Sequence, residues 1–104
     1  MNFKRISVND SNELIKRYPE STILDIRDPA SFDAGHIPNA ILMNNERVEE
    51  VIKTSDKNAP LLVCCYHGNS SQQAASFFAE QGFTEAYSID GGFEAWKLSL
   101  PVEN

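Results

Sequence analysis

The chain has 104 residues, 41% hydrophobic and 23% charged, with nine Lys plus Arg against fifteen Asp plus Glu and a net charge of -6. That length suits a single domain, residues 1–104, with a core that needs no staples, and the acidic balance supplies no field to attract phosphate backbones or anionic lipid, which argues against nucleic-acid and membrane partners. No apolar run approaches the ~20 residues that cross a bilayer, and Met1–Ser7 lacks the apolar core of a signal peptide.

Cys64 and Cys65 are adjacent and are the two cysteines of the chain. They form no spaced disulfide framework, and no second Cys/His pair stands ready to complete a tetrahedral zinc site. The expected setting is a reduced cytoplasm.

The pattern predicts a first strand over Phe3–Val8, then a helix capped by Asn9 or Asp10, with Asp10 and Glu13 at capping-box spacing and Leu14, Ile15 and Tyr18 as its apolar stripe. Pro19 ends that helix. Thr22–Ile26 is a short apolar run, expected as a buried strand. Pro29 opens a short helix through Phe32 that Gly35 closes. Ala40–Met43 is predicted as a further buried strand, and Arg47–Lys53 as a helix with Val48, Val51 and Ile52 on one face. Leu61–Cys64 is the most hydrophobic run in the chain. Ser71–Gln81 places Ala74, Ala75, Phe77 and Phe78 at helical spacing, with Gly82 as its C′ residue. Thr84–Ile89 is the last predicted strand, and Asp90–Gly92 turns into a helix holding Phe93, Trp96 and Leu98. The alternation of strand and helix, with strands too apolar to have a wet face, predicts an α/β fold: a parallel sheet covered by helices on both sides.

In open parallel sheets ligands bind beyond the carboxyl ends of the strands. The segment that combines such a place with a reactive side chain is Cys65-Tyr66-His67-Gly68-Asn69-Ser70-Ser71. Gly68 and Asn69 tolerate positive φ, so the loop can curl and aim several N–H groups inward. The following helix adds unpaired donors and the positive end of its dipole. These features depress the pKa of a thiol at Cys65 and favour its thiolate. A lone cysteine after a strand is more often a small buried hydrophobe. The polar loop that follows Cys65 is costly to bury for packing alone, which makes Cys65 the nucleophile candidate. Cys64, inside the apolar run, is expected as a core thiol.

Four blocks carry a resemblance to a known family: Asp25-Ile26-Arg27-Asp28, Gly35-His36-Ile37-Pro38-Asn39-Ala40, the Cys65–Ser71 loop, and Ser88-Ile89-Asp90-Gly91-Gly92-Phe93-Glu94-Ala95-Trp96. In this order they resemble a rhodanese domain, the sulfurtransferase family, over nearly the whole chain. The resemblance implies a five-stranded parallel sheet with helices on both faces. It also implies a ping-pong sulfur transfer: Cys65 takes the sulfane sulfur of thiosulfate as a persulfide, sulfite leaves, and cyanide or a dithiol such as thioredoxin accepts the sulfur. Tyr66, His67, Gly68, Asn69, Ser70 and Ser71 would bind substrate, with loop N–H groups stabilising thiolate and persulfide. No metal or organic cofactor is implied.

A cysteine phosphatase or arsenate reductase would place an Arg five residues beyond the one after its Cys, to hold an oxyanion bidentately. That position is Ser71, and no Arg follows Cys65. Many rhodaneses carry Arg or Lys in this loop; here only Tyr66 and His67 are available, which predicts weak affinity for thiosulfate. A persulfide carrier or interaction module, loaded by another sulfur donor, is the alternative function.

Other polar residues have plainer expectations. Arg27 is expected to pair with Asp25, Asp28 or another carboxylate rather than bind substrate, and His36 to be a hydrogen-bonded turn histidine. His67 either supports the thiolate as a cation or only shapes the entrance. Ser70 and Ser71 have two compatible jobs, donating hydroxyls to the sulfur and capping the helix. Gly91 and Gly92 are expected in a tight turn, and Trp96 in the core.

Overall fold

Apolar runs become strands and amphipathic stretches become helices, in strict alternation, across residues 2–104, the part of the chain that the computed structural model describes; Met1 lies outside it. The elements are β1 (Lys4–Ile6), α1 (Val8–Arg17), β2 (Thr22–Asp25), α2 (Pro29–Ala34), β3 (Ile41–Leu42), α3 (Asn45–Thr54), β4 (Leu61–Cys64), α4 (Ser70–Glu80), β5 (Ala86–Ile89) and α5 (Gly92–Trp96). The five strands form one sheet in the order β1-β5-β4-β2-β3, and every neighbouring pair is parallel. The α/β expectation holds.

Strand alternation sorts the core into two layers. Ile23, Leu62 and Cys64 point to one face and meet Ile89, Phe93 and Trp96, with Leu14 and Ile15 of α1 packed against them. Leu24, Leu61 and Val63 point to the other face, against Val51 of α3 and Ala75 and Phe78 of α4. Leu24, Leu61 and Leu62 are each fully buried, and burying a side chain of that size contributes about 1.5–3 kcal/mol. β4 is buried at all four positions and runs between β2 and β5. It is therefore the strand whose carboxyl end is held most firmly.

Several element boundaries differ from the sequence pattern. Ser7 is the N-cap of α1, its Oγ accepting from the Asp10 N–H at 3.1 Å, so Val8 belongs to the helix and Asp10 sits in its first turn. The cap is hidden because Ser7 lies inside a run that looks strand-like. Ala40–Met43 reduces to the two-residue β3, and Ile41 is exposed. An edge strand has one neighbour, and the Leu42 carbonyl is taken by the Arg47 guanidinium at 3.0 Å instead of a further strand. Phe77 faces outward, because only the Ala75 and Phe78 side of α4 meets the sheet. Leu98 lies past the end of α5 and is 81% exposed.

Connectivity opens the place where a site can form. β2 leads to β3 at one edge, whereas β4 leads to β5 toward the other. The loops after β2 and β4 therefore diverge and leave a crevice between the carboxyl ends of these adjacent strands. Ile26–Asp28 form one wall and Cys65–Asn69 the other.

Candidate active site

Cys64 and Cys65 follow strand alternation to opposite sides, so Cys65 turns away from the Trp96 layer and under the start of α4. Its residue is only 4% exposed. Three groups converge on its sulfur: the Gly68 N–H donates to Sγ at 3.1 Å, the Ser71 N–H at 3.4 Å, and the Ser71 hydroxyl lies 3.2 Å away. α4 has no side-chain cap at its N-cap residue Asn69. The sulfur takes that place, accepting an amide of the first turn that would otherwise be orphaned.

The loop curls on glycine. Gly68 has φ 90°, and a Cβ there would lie 2.8 Å from the Gly91 nitrogen and 3.0 Å from the Ile89 carbonyl oxygen. Asn69 differs from expectation: at φ -92° and ψ -60° it is right-handed, because it already begins the helix. The single glycine Gly68 suffices for the turn.

Beneath the loop lies α5. The Phe93 N–H donates to the Cys65 carbonyl at 2.8 Å, and the Glu94 N–H to the Tyr66 carbonyl at 3.1 Å. Both carbonyls are thereby drawn away from the sulfur, leaving the amide N–H side of the loop to face it. A Cβ on Gly92 would lie 2.5 Å from the Cys65 carbonyl oxygen and 2.6 Å from the Tyr66 carbonyl carbon. Gly91 and Gly92 do form the tight turn, at φ 78° and 59°, and Gly92 also admits the loop backbone.

Electrostatics separates the two thiols. Burial pushes the Cys65 thiol up, but the Ser71 hydroxyl, the Ser71 and Gly68 amides and the His67 amide outweigh it and hold the pKa below that of an ordinary thiol. Cys64 is fully buried, and burial, aided by the Asp25 charge, pushes its thiol far up. It remains the neutral core thiol its apolar surroundings demand. Both cysteines are free.

The remaining loop residues divide by direction. Gly68 and Ser71 are buried at the sulfur, whereas Tyr66, His67, Asn69 and Ser70 are exposed. The Tyr66 hydroxyl donates to Asp28 Oδ1 and lies 3.3 Å from the Ser31 hydroxyl, so the side chain ties the loop to the start of α2 rather than reaching for the sulfur. Asp28 itself caps α2, with Oδ2 accepting the Ser31 N–H at 3.0 Å. The Ser31 hydroxyl and amide hold its carboxyl below the usual range.

Arg27 sits inside the rim and is committed there. Its Nε and Nη2 donate to Asp25 at 3.0 and 2.8 Å, and Nη2 also to the Gly35 carbonyl at 2.7 Å. Its guanidinium stacks 4.1 Å from the Phe93 ring centroid. His36 is the turn histidine, with Nδ1 2.8 Å from the Phe32 carbonyl and its ring stacked on Phe32.

Sequence reasoning missed four contributors. Ser88 on β5 is fully buried and stands 2.7 Å from the Ser71 hydroxyl; its signal was a hydroxyl within an otherwise buried strand. The amides of Phe93 and Glu94 support the loop, for which the adjacent Gly-Gly was the available sign. Asp28 anchors Tyr66, a pairing across 38 positions that no local pattern shows.

This arrangement can hold an anionic sulfur at Cys65, within a small cradle of N–H and O–H donors at a helix start. The chain is also similar to known proteins. A family model for the rhodanese-like domain matches residues 7–99. The chain is 50% identical over 101 residues to the thiosulfate sulfurtransferase GlpE of Ectopseudomonas mendocina, covering 97% of this chain and 91% of that protein. It is 48% identical, over the same share of each chain, to the GlpE of Pseudomonas putida. Among solved structures, a rhodanese-related protein from Thermoplasma volcanium superposes with a TM-score of 0.78 at 29% identity, covering 97% of this chain and 98% of that one. The rhodanese-like domain of an Anabaena protein gives 0.81 at 26%, over 96% of this chain and 78% of that one. Sequence blocks, strand order and superposition converge, and the chain belongs to the rhodanese family.

Proposed function

We propose that this protein is a thiosulfate sulfurtransferase working through a persulfide at Cys65. The observation that carries the reading is the cradle of two amides and one hydroxyl around a Cys65 sulfur whose thiolate they favour. The thiolate attacks the outer sulfur of thiosulfate; the new S–S bond takes the place of the one that breaks, and sulfite leaves with its electron pair. Cyanide then attacks the terminal sulfur of the persulfide, thiocyanate departs, and the Cys65 thiolate returns. With a dithiol acceptor such as thioredoxin, the terminal sulfur leaves as sulfide while the acceptor becomes a disulfide. In each half-reaction Sγ starts or ends as an anion, and the donors around it stabilise that charge without reorganising.

The loop residues Tyr66 to Ser71 form the substrate-facing surface of this site, with Gly68 and Ser71 nearest the reacting sulfur. A reduced cytoplasmic setting suits it, since both thiols are free and, among the described residues, no helix is long and apolar enough to cross a membrane.

Intact mass of the pure protein before and after thiosulfate tests the reading, with Cys65→Ser and Cys64→Ser alongside. The expected result is a gain of one sulfur atom that cyanide removes as thiocyanate, lost in Cys65→Ser alone. A wild-type protein that gains nothing with its thiol free overturns it and leaves a carrier loaded by another donor.

A further inference from the structure

Ser88 lies on β5, outside the loop and remote in sequence from it, yet its hydroxyl is linked to the reacting sulfur through a single intervening hydroxyl. Its Oγ is 2.7 Å from the Ser71 Oγ, which is in turn 3.2 Å from the Cys65 Sγ. Ser71 and Ser88 are both fully buried. Among the described residues the Ser88 hydroxyl meets one hydrogen-bond partner, the Ser71 oxygen.

We infer that Ser88 is a positioning residue for sulfur transfer: it donates its proton to the Ser71 oxygen and so turns the Ser71 hydroxyl to donate to the Cys65 sulfur. This deepens the sulfurtransferase reading and rests on it only in taking Cys65 as the nucleophile.

Cys65, Ser71 and Ser88 form a line of three heteroatoms with two links. When the sulfur is a thiolate, two hydroxyl protons fill the two links, each pointing toward the negative charge. When the sulfur carries its own proton, three protons compete for two links and one must leave the line. A buried hydroxyl without a partner is costly, and hydrogen bonds in series strengthen one another. The line is therefore complete when Sγ is the attacking anion of the first half-reaction or the departing anion of the second. Ser71 alone could rotate its proton away; Ser88, held in the sheet between Tyr87 and Ile89, removes that freedom by presenting its own proton. No proton is consumed or released by the relay, since both hydroxyls only reorient.

The test measures the pH dependence of Cys65 alkylation by iodoacetamide, located by mass, in Ser88→Val and Ser88→Thr. These substitutions have nearly the same shape, and only threonine keeps the hydroxyl. Ser88→Val is expected to move the midpoint upward by about one unit, a roughly tenfold loss of thiolate at pH below both midpoints. Ser88→Thr should stay close to the wild type. In a Ser71→Ala background Ser88→Val should add little further shift, because its route to the sulfur is gone. An unchanged midpoint in Ser88→Val, or a full additional shift without Ser71, overturns the inference. If Ser88→Val does not fold, Ser88→Ala adds no atoms and carries the same comparison. Alkylation needs no sulfur donor, so this result stands apart from the success or failure of the thiosulfate mass experiment.

Discussion

The Phe93 amide donates to the Cys65 carbonyl at 2.8 Å while Gly92, one residue earlier, leaves no room for a Cβ against the same carbonyl. The helix that ends the fold thus sets the peptide orientation at the start of the active loop. Replacing Gly92 by Ala should break this relation, because the new methyl would lie 2.5 Å from the Cys65 oxygen at a left-handed φ of 59°. Misplacing a reacting group by about 1 Å costs on the order of 10²-fold in rate. Gly92→Ala is expected to lose that much kcat/KM while keeping a native far-UV circular dichroism spectrum. Full activity in a folded variant would show that the loop does not depend on α5.

The Cys65 thiol sits below its ordinary value in the folded protein, so its sign in pH experiments is determined. Sulfur loading should fall as pH is lowered through the folded pKa, where the thiolate is lost. The group's contribution to stability is present above the unfolded pKa of about 8.5 and is lost as pH falls through the folded one. Alkylation rate against pH, with and without urea, measures both: the midpoint should rise on unfolding. A midpoint that stays put or drops would contradict the donor cradle.

Cys64 should behave as packing. Its sulfur is fully buried among Leu62, Ile89 and Trp96. Cys64→Ser places a hydroxyl in that layer at a cost of about 1–3 kcal/mol, visible as a lower urea midpoint. The variant should still gain a sulfur atom from thiosulfate. Loss of loading at undiminished stability would give Cys64 a chemical role.

Arg27 and Asp25 form a buried bidentate pair with side chains 3% and 0% exposed. Arg27→Ala leaves the Asp25 charge alone in the interior, and breaking such a pair costs about 3–5 kcal/mol. The effect should appear as thermal destabilisation, since the guanidinium is spent on Asp25 and Gly35. A stable variant with a raised KM for thiosulfate would instead place Arg27 at the substrate.

Among the described residues, the cations of the crevice beside the loop are already paired: Arg27 with Asp25 and Lys97 with Glu94, while Tyr66 is turned to Asp28. Adding one, as Tyr66→Arg or His67→Lys, should lower KM for thiosulfate by about threefold to tenfold at low salt, with the gain shrinking as ionic strength rises. An unchanged or higher KM would mean that thiosulfate binding is not limited by charge.

Much of this was legible without coordinates. Leu61–Cys64 is the most hydrophobic run of the chain, four residues with no face to offer water, and the structure buries all four. Cys65 stood out because a polar, glycine-bearing loop follows it directly in the chain. Such features are local: the residues that create them are neighbours in sequence, so spacing and composition carry the information.

What lay beyond the sequence were contacts made by strand order. Ser88 reaches Ser71 because β5 lies beside β4, and Tyr66 reaches Asp28 because β2 lies on its other side. Residue pattern alone determined a parallel α/β fold and pointed to thiol chemistry at one loop. Only the tertiary structure decided which distant hydroxyls, amides and carboxylates surround that loop, because hydrogen bonds depend on distances of about 3 Å between groups that the chain separates by 17 to 38 residues.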